Sequence, residues 1–138
     1  MQGIAGVRPP AMRPTEDSPH IWARLRVDVN CALRRGAWYR VLRITRDKAI
    51  LDVIRDRVPV ARKLLQTTFA PPSRWTIVPV PEDASKVPPG WGNRYAVCPA
   101  CHTRQPIKDF QSDMRCPHCQ GLFAIAWDEH YLKRRWRR

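Results

Sequence analysis

Four of the five cysteines in this 138-residue chain stand in two Cys-x-x-Cys pairs, Cys98 with Cys101 and Cys116 with Cys119. Two intervening residues let one tight turn aim both sulfurs of a pair at one point, and a second such turn completes a tetrahedron. The fourteen residues between the pairs are enough for a hairpin that brings the two turns together. The spacing therefore predicts one structural Zn²⁺ held by Cys98, Cys101, Cys116 and Cys119.

The turns around the cysteines carry further signals. Pro99 and Pro117 each follow the first cysteine of a pair, where proline fixes φ and other turn amides stay free to donate to the sulfurs. Gly121, two residues past Cys119, is expected to take the left-handed conformation at the exit from the second turn. The stretch "VCPAC…RCPHCQGLFAIAW" resembles the zinc ribbon of many bacterial proteins. This resemblance implies a ribbon fold and one structural zinc, without an activity.

Three other uses of paired cysteines compete with structural zinc. Rubredoxin-like iron binding also needs two pairs, but it has a longer spacer and an aromatic cluster that this sequence lacks. Thioredoxin-like exchange uses a single CPxC pair at a helix start in a βαβ unit, and no such unit is predicted here. A catalytic zinc needs an open coordination position, whereas four cysteines fill the shell. His102 and His118, beside the ligands, are alternative ligands but fit surface positions better.

Catalytic chemistry has little support in the sequence. No Gly-rich phosphate loop, Gly-x-Ser-x-Gly motif or His-Glu-x-x-His motif occurs. Cys31 stands alone and is expected to be a small buried residue. Asp128 and Glu129 are expected to be solvated. We therefore expect a protein without catalytic residues and without a small-molecule substrate.

The overall charge points to an anionic partner. The chain has a formal net charge of +13, and a strongly basic domain usually meets nucleic acid or an anionic surface. The first twenty residues lack the apolar run of a secretory signal, and no stretch approaches the length of a membrane span. We therefore expect a cytoplasmic protein without a membrane partner, in a compartment whose reducing conditions keep thiols free.

The first half of the chain predicts a small β-domain. Residues 1–19 are rich in proline and are expected to form a flexible N-terminal arm. Residues 20–80 contain short strand-like runs separated by turns, a pattern typical of a small barrel or sandwich. Within them, "VPVARKLLQ" resembles the end of an SH3-like β-barrel, where a Val-Pro strand enters one helical turn before the last strand. The run Arg74 to Val80 is expected to be that last strand.

The second half predicts a different module. Residues 81–93 form a Pro-rich linker, in which Trp91 is expected to pack back onto a neighbouring domain. Residues 94–130 form the zinc ribbon, and residues 131–138 a basic C-terminal tail. The fold class is therefore mainly β, an SH3-like barrel followed by a zinc ribbon.

The charge is unevenly spread along the chain. Residues 20–80 have a net charge of +9 and residues 131–138 of +5, whereas residues 98–130 sum to −1. Clusters of arginine with aromatic residues suit RNA or single strands, although the aromatic residues of "RRGAWYR" also fit a barrel core. The predicted nucleic-acid contacts are Arg34, Arg35 and Arg40 in the barrel, and Lys133, Arg134, Arg135, Trp136, Arg137 and Arg138 in the tail.

These observations favour a non-catalytic, zinc-containing protein that binds RNA or DNA. Its expected place is an accessory subunit of a transcription, translation or RNA-handling assembly. The alternative is a structural or adaptor subunit that docks on a protein partner within a larger complex. If the protein binds nucleic acid, the charge distribution favours the barrel and the tail as the contact and makes the ribbon a scaffold or a protein-docking surface.

Overall fold

A computed structural model of the protein describes residues 20–29, 31–80, 87–107 and 110–132. Within these ranges, ten β-strands form two five-stranded sheets, and helix is confined to two single turns of 3₁₀ helix. The prediction of a mainly β protein is therefore confirmed. The predicted N-terminal arm, residues 81–86 of the predicted linker and residues 133–138 of the predicted tail lie outside the described residues.

The first sheet is a curled half-barrel in which every pair of neighbouring strands is antiparallel. Its strands follow the spatial order β4-β3-β2-β1-β5. They are β1 (Trp22–Leu25), β2 (Tyr39–Ile44), β3 (Lys48–Val53), β4 (Asp56–Ala61) and β5 (Leu65–Thr68). A 3₁₀ turn over Arg62–Leu64 joins β4 to β5, which confirms the single helical turn expected after the Val-Pro strand.

The second sheet contains the strands that flank the cysteines. They are β6 (Arg74–Pro79), β7 (Arg94–Val97), β8 (Arg104–Pro106), β9 (Asp113–Arg115) and β10 (Leu122–Ile125). Their spatial order is β9-β10-β6-β7-β8, and only the β10–β6 pair is parallel among these described strands. A 3₁₀ turn over Pro89–Trp91 precedes β7.

Strand β6 corrects one prediction. The run that contains it was expected to close the barrel, yet its hydrogen bonds go to β7 and β10 of the second sheet. The physical reason is that β6 is apolar on both faces, because Trp75 and Ile77 alternate with Val78. Such a strand needs cover on both sides and therefore takes the central position of a sheet. The division of the chain into folding units at residues 80 and 94 stays a prediction.

Two apolar cores lie on the two faces of β6 and β7. On one face, Val78, Tyr95 and Val97 pack with residues of the first sheet in a cluster that we call the larger core. On the other face, Trp75 and Ala96 pack in the smaller core, together with Cys98, Ile107, Cys116 and Ile125. The alternation of side chains along a strand thus connects the half-barrel to the cysteine turns through two shared strands.

Segments between the strands also contribute to the larger core. Trp91 packs against it, with its ring centroid 6.2 Å from that of Tyr95, which confirms that this residue packs back onto a neighbouring part of the protein. Tyr39 of "RRGAWYR" is buried in it, as the core interpretation of that motif expects. Cys31, however, is exposed, so the prediction that it is buried is wrong. Leu33 occupies the core position in that loop instead.

A buried arginine holds the C-terminal segment against both sheets. Arg24 is 3% exposed and lies between the rings of Trp38 and Tyr131, 4.4 and 4.2 Å from their centroids. Its guanidinium donates to Thr76 Oγ1 at 3.0 Å and to Glu129 Oε2 at 3.2 Å. Glu129 is therefore part of an internal ion pair, and the prediction that it is solvated is wrong.

Candidate metal centre

The four cysteine sulfurs converge on one point. All four Sγ atoms lie within 4.8 Å of one another, with 3.7 Å between Cys98 and Cys119 and 3.6 Å between Cys101 and Cys116. A tetrahedron with metal–sulfur bonds of about 2.3 Å has edges of about 3.8 Å. A disulfide would bring two sulfurs to about 2.0 Å, and all four cysteines are free. The cluster is therefore a possible metal site with four thiolate ligands.

The first cysteine turn is built by backbone hydrogen bonds around Cys98. Its carbonyl accepts from the N–H of His102 at 3.1 Å, and its sulfur accepts from the N–H of Ala100 at 3.4 Å. His102 has a left-handed backbone with φ of 68°. Backbone amides aimed at sulfur favour the thiolate over the thiol, so the turn is suited to hold a ligand in its charged form.

The second turn repeats this geometry around Cys116. Its sulfur accepts from the N–H of His118 at 3.4 Å, and its carbonyl accepts from that of Gln120 at 2.8 Å. Gln120, with φ of 68°, takes the left-handed position that was predicted for Gly121. Space is tight at Gly121 instead, because a Cβ there would lie 2.5 Å from the ring of Phe123 and the ring would have to shift.

The surroundings of the sulfurs differ in polarity. Cys98 and Cys116 are fully buried in the smaller core, and burial raises the pKa of the Cys98 thiol to about 12. Burial is the largest single influence on Cys101 and opposes its ionisation as well. Hydrogen bonds from the hydroxyl of Thr103, 3.0 Å from its sulfur, from the backbone of Thr103 and from the neighbouring cysteines together outweigh burial and lower the pKa of Cys101 to about 7. Ionising all four thiols together requires a cation among them, so binding of a metal releases protons.

The two histidines beside the cysteines are not ligands in this arrangement. His102 turns away from the sulfurs, and its Nε2–H donates to the carbonyl of Trp38 at 2.6 Å, with its ring against Tyr39. Burial is the main reason that the pKa of His102 is lowered, so the ring is neutral at pH 7. His102 is half-buried, which corrects the expectation of a surface residue, whereas His118 is exposed as expected.

The predicted nucleic-acid residues of the barrel lie in two kinds of surroundings. Arg34 donates through Nη1 to the carbonyl of His102, and Arg35 forms an ion pair with Asp28. Arg40 lies half-buried on β2. Two of the three arginines therefore hold parts of the protein together. The assignment of all three to nucleic acid stays a prediction, as does that of the tail residues, which lie outside the described residues.

Sequence reasoning missed a group of cations on the half-barrel. A cleft of about 700 Å³ has an apolar lining that includes Ile44 and Leu65. Its charged lining residues are Arg46, Asp47, Lys48, Arg62 and Lys63. Arg62 is fixed there, because its Nη1 donates to the carbonyls of Thr45 and Arg46 at 3.1 and 3.2 Å. The sequence signals were the turn "RDK" and the helical turn "RK", which the antiparallel pairing of β3 with β4 brings together, with Lys48 opposite Ala61.

The described residues thus define a class: a mainly β protein with a cluster of four cysteines, two of them buried. Comparison of the chain with protein-family models, with curated proteins and with solved structures finds no match. The part of the chain that the structure describes contains no helix of the length and apolarity needed to cross a membrane. The function therefore has to be inferred from the site and the surface.

Proposed function

We propose that this protein is a non-catalytic, zinc-containing protein that binds RNA or DNA as an accessory subunit of a transcription, translation or RNA-handling assembly. The zinc is structural and is held by the four cysteines. We place the protein in the cytoplasm, because four free cysteines in a tight cluster suit a reducing compartment.

The donor set supports zinc. Four thiolates in a tetrahedron are typical of Zn²⁺ or of iron, and the sulfur separations suit bonds of about 2.3 Å. A bound zinc would lock the two turns together and close one side of the smaller core, to which Cys98 and Cys116 belong. A colourless preparation with one zinc per chain is expected, whereas a red or brown one would identify iron.

The charge of the half-barrel supports nucleic acid as the partner, and the cleft is the observation that carries this proposal. Its lining contains four cations and a single carboxylate, within a segment whose net charge is +9. Lysine and arginine at such a surface neutralise phosphates and release counterions, which drives association whatever the sequence of the nucleic acid.

The test is the salt dependence of binding to fluorescent single- and double-stranded DNA and RNA. Each phosphate contact contributes roughly 0.9 to the slope of log K against log salt on duplex DNA and roughly 0.7 on single strands. Replacing Arg46 and Lys48 by alanine is expected to reduce the slope by about 1–2 units. Arg43 and Arg57, exposed and outside the cleft, give a matched control of equal charge.

Deletion of the tail is the second arm of this test. Residues 133–138 contain five Lys or Arg, so their removal is expected to lower the slope further and to weaken binding to all sequences alike. The deletion must begin at 133, because Tyr131 is buried and its hydroxyl donates to the carbonyl of Leu25 at 2.6 Å. A slope near zero for the intact chain would contradict nucleic-acid binding.

The adaptor function has one observation in its favour. Leu42 and Ile44 of β2 are 47% and 39% exposed, and Ile44 borders the cleft. Neighbouring exposed apolar side chains suit a protein partner. An adaptor would show the flat salt response described above, and Leu42→Ser would then release the partner without changing the melting temperature.

A further inference from the structure

A second groove lies on the side of the chain that carries the cysteines. It has a volume of about 540 Å³ and is lined by residues of β6, β7 and the C-terminal segment. Ile77, Pro79 and Val80 supply apolar surface, and Phe110 and Trp127 supply two aromatic rings. Neither the metal site nor the basic cleft uses these residues.

The two rings form a supported platform. Their centroids are 4.4 Å apart, and the guanidinium of Arg94 lies 5.2 Å from the ring of Phe110 and 5.1 Å from that of Trp127. The indole N–H of Trp127 donates to the carbonyl of Gln111 at 2.7 Å, which fixes the ring. Phe110 is nevertheless 79% exposed. An aromatic ring held in place with most of its surface in water is suited to stack on a planar ligand.

The charge around this groove is more positive than the sequence suggests. Asp128 lies 2.6 Å from Arg74, and Glu129 lies 3.2 Å from Arg24, so arginines of other strands neutralise both acids. The described chain ends at Leu132, one residue after Tyr131, which lines the groove. The six residues that follow it in the sequence include five Lys or Arg. Among the described residues, Arg94 lines the groove and supplies a cation beside the two rings.

We propose that this groove binds single-stranded nucleic acid, with a base stacked on Phe110 and a phosphate neutralised by Arg94. This inference rests on the proposed function and names a surface for it. Proteins that bind single strands combine aromatic platforms with positive charge, whereas the bases of a duplex are stacked on one another and cannot reach the ring. An acidic peptide would satisfy the cations but has no use for an exposed ring pair.

The experiment compares strands with and without bases. Anisotropy would be measured for an oligouridine, an oligothymidine and an abasic strand of equal length, with the full chain and with Phe110→Ala. Stacking of each base contributes to the binding free energy, so the affinity of Phe110→Ala for the two intact strands should be roughly fivefold to tenfold lower. Its affinity for the abasic strand should not change. Phe69→Ala removes another exposed ring, 67% exposed, and should change neither affinity.

A second variant guards against a loss of structure. Phe110→Leu keeps an apolar side chain against Trp127 but removes the stacking face. Its affinity for the intact strands should therefore fall as in Phe110→Ala, while its melting temperature stays unchanged. Equal affinity of Phe110→Ala and the unaltered chain for intact strands would overturn the inference and leave salt-dependent binding standing. An equal loss for intact and abasic strands would also overturn it, and would favour an acidic protein partner. If the chain binds no strand at all, the proposed function fails as well.

Discussion

The larger core and the smaller core differ in how far packing of their buried side chains alone can stabilise them. Among the described residues, the larger core has thirteen buried side chains, all of them Ala, Leu, Val or Tyr. The smaller core has six, and two of these are the metal-site cysteines Cys98 and Cys116. Burial of apolar surface contributes about 25 cal/mol per Å², so the larger core can stabilise its sheet by packing. The smaller core buries fewer apolar side chains, and we expect it to depend on what links its cysteines.

The two cores are nevertheless not independent, because β6 and β7 belong to both. Val78 and Tyr95 face the larger core, whereas Trp75 and Ala96, on the same two strands, face the smaller one. Successive side chains of a strand point to opposite faces, so each of these two strands packs in both cores. The difference between the cores therefore predicts that substitutions have unequal effects on stability. A substitution at the metal site should destabilise the half-barrel only weakly. A substitution at the boundary between the half-barrel and the second sheet should destabilise both sheets.

The largest effect is expected at the metal site. Cys116→Ser removes a buried ligand, and structural zinc contributes on the order of 10 kcal/mol or more to the folding of small modules. Hydrogen exchange should show loss of protection in β7 to β10, while β1 to β3 keep most of theirs. The metal content should fall from one zinc per chain towards zero.

Cys31→Ser is the matched control, because Cys31 is free, exposed and outside the cluster. It should leave both the metal content and the protection pattern unchanged. Full protection of β8 to β10 in Cys116→Ser would show that the smaller core needs no metal, and would remove the difference between the cores.

Local patterns made the cysteine site and the strands predictable, since two Cys-x-x-Cys turns and alternating apolar runs depend on neighbours in the sequence. The sheet that β6 joins was not predictable in this way. Its parallel partner is β10, with Arg74 opposite Ala124, and no local signal connects residues fifty positions apart. The same limit applies to Glu129, because the arginine that pairs with it, Arg24, lies on β1.

The next effect is expected at Gly36, on the boundary between the half-barrel and the second sheet. Its φ is +85°, and a Cβ there would lie 2.5 Å from Cγ2 of Val78 and 3.1 Å from that of Val97. Gly36→Ala therefore combines backbone strain with overpacking and should lower the free energy of unfolding by about 2–4 kcal/mol. Urea unfolding followed by circular dichroism measures the change.

Gly90→Ala is the control for this substitution, because a Cβ at Gly90 would meet no atom within 4 Å. Its effect should stay within about 0.5 kcal/mol. In Gly36→Ala, exchange should accelerate in both sheets together. Acceleration in one sheet alone would mean that β6 and β7 do not transmit damage between the cores.

The smallest of the three effects is expected at Trp91, whose half-buried ring packs against the larger core from outside the strands. Trp91→Ala removes apolar contact with Tyr95 of β7 and should lower the free energy of unfolding by about 1–2 kcal/mol. Because Tyr95 lies in the core that the first sheet shares, amide exchange in β1 and β2 should accelerate along with that in β7. Phe69→Ala, which removes an exposed ring, should leave all three strands unchanged. If exchange in β1 and β2 is unaffected by Trp91→Ala, the half-barrel is stable without the second sheet and the two cores are only tethered.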